Sequence, residues 1–433
     1  MKELFPRQQD AVDFHLKTLG WLGASLDSSK TGVGKTVIST HLSARWDGPV
    51  AVVCPKIVIP HWERELREVG VEPLFVHNYE LIKRGKKQWL KKRGKSVFEW
   101  DVPNNTLLIW DEVHKCKAPT SQNAQMLIAA KNQNIASLML SATACKDPTE
   151  MRAIGYALGL HNLLRAGEGL QSWPSWMKTF GCWRDQWRNW KPPHNAERLK
   201  PLHETLYPER SIRLTPADLP LAFAENHVIT EPLHFAALKD IQKYYDESGI
   251  TSEILEWYLE DPSFGGEEEI IVQLLRARQL AEAAKVPDIV EMATDMIEEG
   301  NSVAIFVNYR ETALSLMDML GEDTSLIIGE QKASEREGNI QLFQEDKHHC
   351  VVSTISAGGT GVSLHDTRGE RPRISLISPT YDEKEYEQAL GRIHRNGALS
   401  PATQRVLVAA DTLEEQVIQV LQRKLQLART IHG

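Results

Sequence analysis

The stretch Ser29-Lys30-Thr31-Gly32-Val33-Gly34-Lys35-Thr36, followed by Val37-Ile38-Ser39-Thr40-His41-Leu42, is a glycine-rich turn that opens a helix. Glycines let successive backbone N–H groups curl around an anion, and the helix N-terminus adds its dipole. In such a loop Lys35 reaches the β/γ-phosphates of a nucleotide, and the Thr36 hydroxyl holds Mg²⁺. Ser29, Thr31, Gly32, Val33 and Gly34 supply the backbone of the cradle. Ser29 stands where the full pattern has glycine. Gly-x-Gly-Lys-Thr alone arises by chance in roughly one chain of this length per hundred at average usage. A plain glycine turn is therefore the rival reading until other segments are weighed.

Leu107-Leu108-Ile109-Trp110-Asp111-Glu112-Val113-His114 supplies the second half of a site. Four apolar residues form a buried strand, and adjacent carboxylates emerge at its carboxyl end, where open parallel sheets bind ligands. Asp111 is suited to hold Mg²⁺ through water, and Glu112 to orient and deprotonate an attacking water. Asp-Glu after a strand is common in loops. About 75 residues beyond a phosphate loop it carries much more weight. A metal site on His114 and Cys116 is the weaker alternative.

Working outward, β-rich runs alternate with helical periodicity, the signature of parallel α/β layers. Strands are expected near Val50–Cys54, Pro73–His77, Thr106–Trp110 and Ser137–Leu140. A second series is expected near Val303–Val307, Ser325–Ile328, His349–Ser353, Ile374–Ser378 and Gln404–Val408, with helices at Glu311–Leu320, Ser334–Phe343 and Glu383–His394. The middle is poorer in strand signal and rich in tryptophan. Trp183, Trp187 and Trp190 are spaced i, i+4, i+7 and share one face if a helix forms. Thr412-Leu413-Glu414-Glu415 reads as a capping box before an amphipathic helix carrying Val417, Leu421 and Leu425, expected to pack on the second domain.

The composition fits this organisation. The chain has 433 residues, 42% hydrophobic and 25% charged, enough for two or three domains with real cores. No apolar run approaches the roughly 18 residues of a membrane span, and Met1-Lys2-Glu3-Leu4-Phe5-Pro6 has no secretory apolar region. Five cysteines without a C-x-x-C pair suit a reducing, cytoplasmic compartment and speak against zinc. The formal net charge of −8 excludes a globally basic footprint, so nucleic-acid contacts would come from local patches.

Together the phosphate loop, Asp111-Glu112-Val113-His114, Ser141-Ala142-Thr143 and Gln388-Ala389-Leu390-Gly391-Arg392-Ile393-His394-Arg395 stand in the order of the superfamily 2 helicases. Further segments resemble the Swi/Snf-type branch: Val53-Cys54-Pro55-Lys56 with His61-Trp62-Glu63-Arg64-Glu65, Asn78-Tyr79-Glu80, and Ser353 through Leu364. Nearly the whole chain is covered. The resemblance implies an α/β fold of two tandem RecA-like parallel-sheet lobes with helical insertions between them. Expected boundaries are 1–160 for the ATP-binding lobe, 161–222 for its Trp-rich helical insertion, 223–285 for a helical insertion or linker, and 286–433 for the second lobe.

The resemblance also assigns roles. ATP with Mg²⁺ is the implied cofactor, Gln8 the adenine-reading glutamine, and Gly361 a further nucleotide-side residue. Gln388, Arg392 and Arg395 are spaced to share a helical face. A face that merely salt-bridges Glu385 or Glu387 is the bland reading. In the resembling family the two arginines reach the γ-phosphate when the lobes close, which makes ATP binding favour closure and hydrolysis release it. Lys56, Asn78, Asn308, Thr354, Gly358 and Gly359 belong to the implied strand-binding surface, through backbone contacts that read no sequence.

Lys83 to Lys95 adds eight cations in 13 residues, among them Lys86 and Lys87, around Trp89: a nucleic-acid surface or a solvated loop. Residues 180–220 are similar to the insert of fork-reversing annealing helicases, and a helical protrusion near duplex DNA is expected there. The expected partner is forked, branched or duplex DNA, the expected protein a monomer or weak associator in a bacterial or phage-infected cell. An RNA helicase and a non-catalytic ATP-switch scaffold are the alternatives, and RNA differs only in contacts to the 2′-OH.

Overall fold

The computed structural model describes residues 3–432 apart from 86–87, 94–96, 168, 187, 194, 221, 234–240, 242–243, 245–246, 248–267, 359–361 and 381. The chain forms two compact units, Met1–Leu219 with Gln426–Gly433, and Pro220–Leu425. Among the described residues no helix is long and apolar enough to cross a membrane.

The strands, in chain order, are β1 (Ala24–Asp27), β2 (Val50–Cys54), β3 (Phe75–Asn78), β4 (Leu90–Arg93), β5 (Val97–Trp100), β6 (Leu107–Asp111), β7 (Ala136–Leu140), β8 (Trp183–Arg184), β9 (Trp190–Lys191), β10 (Ser211–Ile212), β11 (Asn226–Leu233), β12 (Ser302–Val307), β13 (Thr324–Ile327), β14 (Cys350–Thr354), β15 (Arg373–Ile377) and β16 (Ala402–Ala409). The first unit holds one six-stranded parallel sheet, ordered β10-β1-β7-β6-β2-β3. The second holds another, ordered β11-β16-β15-β12-β14-β13. These are the two parallel-sheet α/β lobes expected from the sequence.

Both sheets are covered on both faces, which is why their strands read as continuous apolar runs. β12 shows it directly. Val303, Ile305 and Val307 enter one apolar cluster and Ala304 and Phe306 another, the period of two that a pleated strand imposes. Each of the nine strands expected from sequence lies within two residues of its observed position.

Four features depart from the expectations. β1, the strand feeding the phosphate loop, is only Ala-Ser-Leu-Asp, fully buried yet too short and polar to announce itself. Among its described residues, the tryptophan-rich segment 183–190 forms no helix. Arg184 pairs with Trp190 and Trp183 with Lys191 in an antiparallel hairpin, and the Arg184 guanidinium lies 4.7 Å over the Trp190 ring. Helices in the insertion are short, Trp173–Thr179 and Lys200–Leu206. The helix Glu383–Leu390 stops four residues before His394, because the chain turns at Gly391 and the Arg392 carbonyl accepts from Leu364 N–H instead (2.9 Å). Finally, the helix Leu413–His432 does not pack wholly with the second unit, since Ile431 is fully buried in the first unit's core.

The insertion also carries a testable buried histidine. His161 is fully buried, stacked obliquely on Trp176 (4.9 Å), with its ring nitrogens 3.2 Å from the carbonyls of Met151 and Asn162. Burial pushes its pKa from 6.5 down to about 4. Between those values the unfolded chain takes up a proton that the native one refuses, so stability rises with pH across that window and falls on acidification. Going from pH 7 to 5 is expected to cost about 2 kcal/mol through this residue. Urea melts of wild type and His161→Gln at both pH values measure it, and an identical pH dependence in the two proteins would refute the assignment.

Candidate nucleotide site

β1 ends in Asp27, and the phosphate loop turns from there into the helix Lys35–Arg45. Gly32 and Gly34 have φ of 89° and 97°, the left-handed region that glycine enters without strain. A side chain at Gly34 would also meet Gln8 Nε2 at 2.6 Å. Gln8 is buried against the loop. Its amide donates to the Val33 carbonyl (2.8 Å) and its oxygen accepts from Phe5 N–H (3.1 Å). Asp27, fully buried beneath the loop, accepts from Ser29 N–H (2.9 Å). Burial alone would raise its carboxyl, yet the His15 imidazole beside it holds it below the usual carboxylate range.

Ser29 is where the loop departs from its common pattern, and the departure has a structural reason. Its hydroxyl accepts from Leu214 N–H (2.9 Å), while the Leu214 carbonyl accepts from Lys30 N–H (2.9 Å). A glycine would lose the first of these bonds. Arg213 adds a bridge: its Nη1 donates to the carbonyls of Ser28 (2.8 Å) and Ala142 (3.0 Å), joining the loop to the Ser141-Ala142-Thr143 turn.

Lys35 folds back onto the loop, its ammonium donating to the carbonyls of Ser29 (2.7 Å) and Lys30 (3.2 Å). Desolvation lowers its pKa against the pull of Asp27, Glu112 and Asp111. All four charges therefore share one field. Asp111 ends β6, and its carboxylate accepts from the Trp62 indole N–H (2.9 Å) while its carbonyl accepts from Tyr79 OH (2.9 Å). Burial and the neighbouring Glu112 charge raise its carboxyl to about 7. A carboxylate this frustrated is suited to receive a cation. Among the described residues no group of three or more His, Cys, Asp or Glu side chains forms a metal cage. The donor set of Thr36 and Asp111 instead fits Mg²⁺ that arrives with phosphates, the usual mode for this ion.

Glu112 sits in the left-handed region (φ 56°, ψ 51°), which swings its side chain out of line with the strand. His114 Nδ1 lies 3.1 Å from both Glu112 Oε2 and the Ser141 hydroxyl. One imidazole thus connects the proposed base to the Ser-Ala-Thr turn.

In the second unit Arg392 is buried and donates to the Val362 carbonyl (2.7 Å). Arg395 is half-buried with its guanidinium against the Ser363 hydroxyl, and desolvation lowers its pKa to about 10, so it stays cationic at neutral pH. Gln388 lies in the preceding helix and is half-buried. Because that helix ends at Leu390, the arginines are presented by the turn beyond it and not by a helical face.

Residues 284–397 match the family described as helicase conserved C-terminal domain. The chain is 29% identical over 465 residues to the putative ATP-dependent RNA helicase L364 of Acanthamoeba polyphaga mimivirus, covering 98% of this chain and 82% of that protein. It is 22% identical over 470 residues to the human DNA annealing helicase and endonuclease ZRANB3, covering 100% of this chain and 40% of the relative. A solved Sulfolobus solfataricus SWI2/SNF2 ATPase core in complex with dsDNA aligns at 17% identity and TM-score 0.38, over 99% of this chain and 93% of that one. Residues 284–397 thus match a helicase C-terminal domain, and the chain is similar along its whole length to proteins named as helicases.

Other residues that the helicase pattern singles out have varied places. Lys56 is exposed at the start of the short helix Lys56–Val58. Asn78 caps the helix Tyr79–Ile82, accepting from Leu81 N–H (2.6 Å). Asn308 donates to Glu282 (2.6 Å) and to the Pro379 carbonyl (2.9 Å), so its amide hydrogens serve the fold. Thr354 is buried at the end of β14, and Gly358 ends the helix Ile355–Gly358. Gly359, Gly361, Lys86 and Lys87 lie outside the described residues. Within the Lys83–Lys95 run, Lys91 pairs with Asp101 (2.7 Å) and Arg93 with Glu99 (2.6 Å), on a β4–β5 hairpin whose Trp89 packs on the core. Sequence reasoning missed Arg213, Tyr207, His15 and Asp27. Arg213 and Tyr207 act through contacts far along the chain, and His15 and Asp27 through a buried pair that no motif marks.

Proposed function

We propose that this helicase-family chain is an ATP-dependent translocase or helicase acting on DNA, with forked or branched DNA as its substrate for regression, branch migration or annealing. The observation that carries the reading is the half-buried Lys35 ammonium in a common field with Asp27, Asp111 and Glu112 at the mouth of a phosphate loop. Backbone N–H groups from Thr31 to Gly34 bind the triphosphate, Lys35 leaves its carbonyl partners for the β/γ-phosphates, and Gln8 serves the adenine side. Thr36 and Asp111 would hold Mg²⁺, which when bound neutralises phosphate charge. Glu112 takes the proton of the attacking water, oriented by His114. Gln388, Arg392 and Arg395 are assigned by their motif to the γ-phosphate, and Gly361 to the nucleotide side.

Nucleic acid is assigned to Lys56, Asn78, Asn308, Thr354, Gly358 and Gly359, with Lys86 and Lys87 as further cations. The DNA reading is supported by the relative named as a DNA annealing helicase. The relative named as a putative RNA helicase favours the second reading, an RNA-dependent motor. ATPase activity and strand products across single-stranded, duplex, forked and four-way DNA and RNA duplexes separate the two. Forked or four-way DNA is expected to stimulate most. Stimulation by RNA alone would replace the DNA reading, and turnover no faster than that of Lys35→Ala would end both.

A further inference from the structure

Behind the phosphate loop runs a chain of side-chain hydrogen bonds that no motif announces. The Ser28 hydroxyl, one residue ahead of the loop, meets the Tyr207 hydroxyl at 2.5 Å. Tyr207 OH is in turn 3.0 Å from His432 Nδ1, and His432 Nε2 is 2.9 Å from the Cys145 carbonyl. Cys145 lies two residues past the Ser141-Ala142-Thr143 turn. Since a carbonyl only accepts, Nε2 carries the imidazole proton, Nδ1 accepts, and Tyr207 donates to it. Burial raises the Tyr207 pKa, so the phenol keeps that proton.

The anchorage is built rather than incidental. His432 is 1% exposed and Ile431 0%, and the Ile431 carbonyl accepts from His203 Nδ1 (2.7 Å). All of these residues belong to the first unit. The consequence concerns what happens when nucleotide enters. In the structure Lys35 ties down the loop's own entry by bonding the carbonyls of Ser29 and Lys30. To reach phosphates the ammonium has to release them. The loop entry is then held by what lies behind it: Asp27, Arg213, the Leu214 bonds to Ser29 and Lys30, and the Ser28 hydroxyl, which meets both Tyr207 OH and the Ile212 carbonyl (3.0 Å).

We propose that Tyr207 and His432 are positioning residues for the nucleotide site: together they latch the entry of the phosphate loop to the segment following the Ser-Ala-Thr turn, holding the cradle in its binding geometry once Lys35 turns to the phosphates. This deepens the ATPase reading and rests on it. Neither residue touches nucleotide. Their effect appears as affinity, because a loosened cradle is paid for at binding, while the Lys35, Asp111 and Glu112 chemistry is untouched.

Tyr207→Phe is the decisive variant, since it keeps the ring packed on His203 (4.8 Å) and removes only the hydroxyl. The expected result is an ATP KM and an ADP Kd raised about five- to tenfold, the effect of one lost buried hydrogen bond, with kcat at saturating ATP within twofold. His432→Ala, which removes the other end of the latch, is expected to match it, and the double variant to be no worse than either single one. An unchanged KM and Kd in a folded Tyr207→Phe protein overturns the inference. So does a fall in kcat without a rise in KM, or additive effects in the double variant. Should Tyr207→Phe not fold, His432→Ala alone decides by the same KM and Kd criterion. Wild-type protein without ATP turnover would instead refute the ATPase reading, and the ADP titration would still report on the latch.

Discussion

Glu112→Gln is expected to lower ATP turnover by about 10² to 10⁴, the range spanned by loss of a positioned general base. The amide is nearly isosteric with the carboxylate, so the left-handed backbone at φ 56° and the approach to His114 survive. What disappears is the group able to accept a proton. Binding of ATP is expected to persist or tighten, because the substitution removes a negative charge from the phosphate-facing side of the site while Lys35 and the loop remain. The same change relieves the repulsion that helps hold the Asp111 carboxyl at about 7, so Asp111 ionises more readily. Steady-state ATPase assays beside equilibrium binding of a non-hydrolysable ATP analogue test both halves. Turnover within tenfold of wild type would remove Glu112 from the role of base.

Arg395→Ala carries the other large effect. An arginine finger contributes about 10³ to 10⁵ to the rate of phosphoryl transfer, acting on charge that develops only in the transition state. Hydrolysis is therefore expected to fall by that factor, with ATP affinity within a few-fold of wild type. In its own unit Arg395 also holds the Ser363 hydroxyl, so part of any loss could be local. Ser363→Ala separates the two, since it removes that contact and leaves the guanidinium; near-wild-type turnover is expected. Arg395→Lys keeps the charge without the planar fork and is expected to recover only a small part of the rate. An Arg395→Ala enzyme within tenfold of wild type would show that the motif is used differently here.

The site was legible in unequal parts, for identifiable reasons. Gly32, Gly34, Lys35 and Thr36 announce themselves because phosphate binding demands a local sequence: two residues that tolerate positive φ, then a cation and a hydroxyl at a helix start. Asp111 and Glu112 follow an apolar strand whose burial on both faces leaves no alternation to misread. By contrast, Trp183, Trp187 and Trp190 match a helical period, yet β8 and β9 pair where Trp183 and Trp190 lie. Spacing alone says nothing of cross-strand partners. The arginines were expected on a helix that Gly391 ends, although their order in the chain was unaffected.

By itself, the sequence determined the two parallel-sheet lobes, the phosphate loop and the acidic pair, because each is written within a window of a few residues and governed by local backbone physics. Tertiary structure alone decided how that loop is held. Ser29 is tied to Leu214, Ser28 to Tyr207 and Arg213, and Cys145 to His432, over separations of up to 287 residues. Those bonds depend on β10 adding to the edge of the phosphate-loop strand and on the helix ending at His432 returning to the first core. Contacts of that range follow from which buried surfaces find each other, and no periodicity along the chain encodes them.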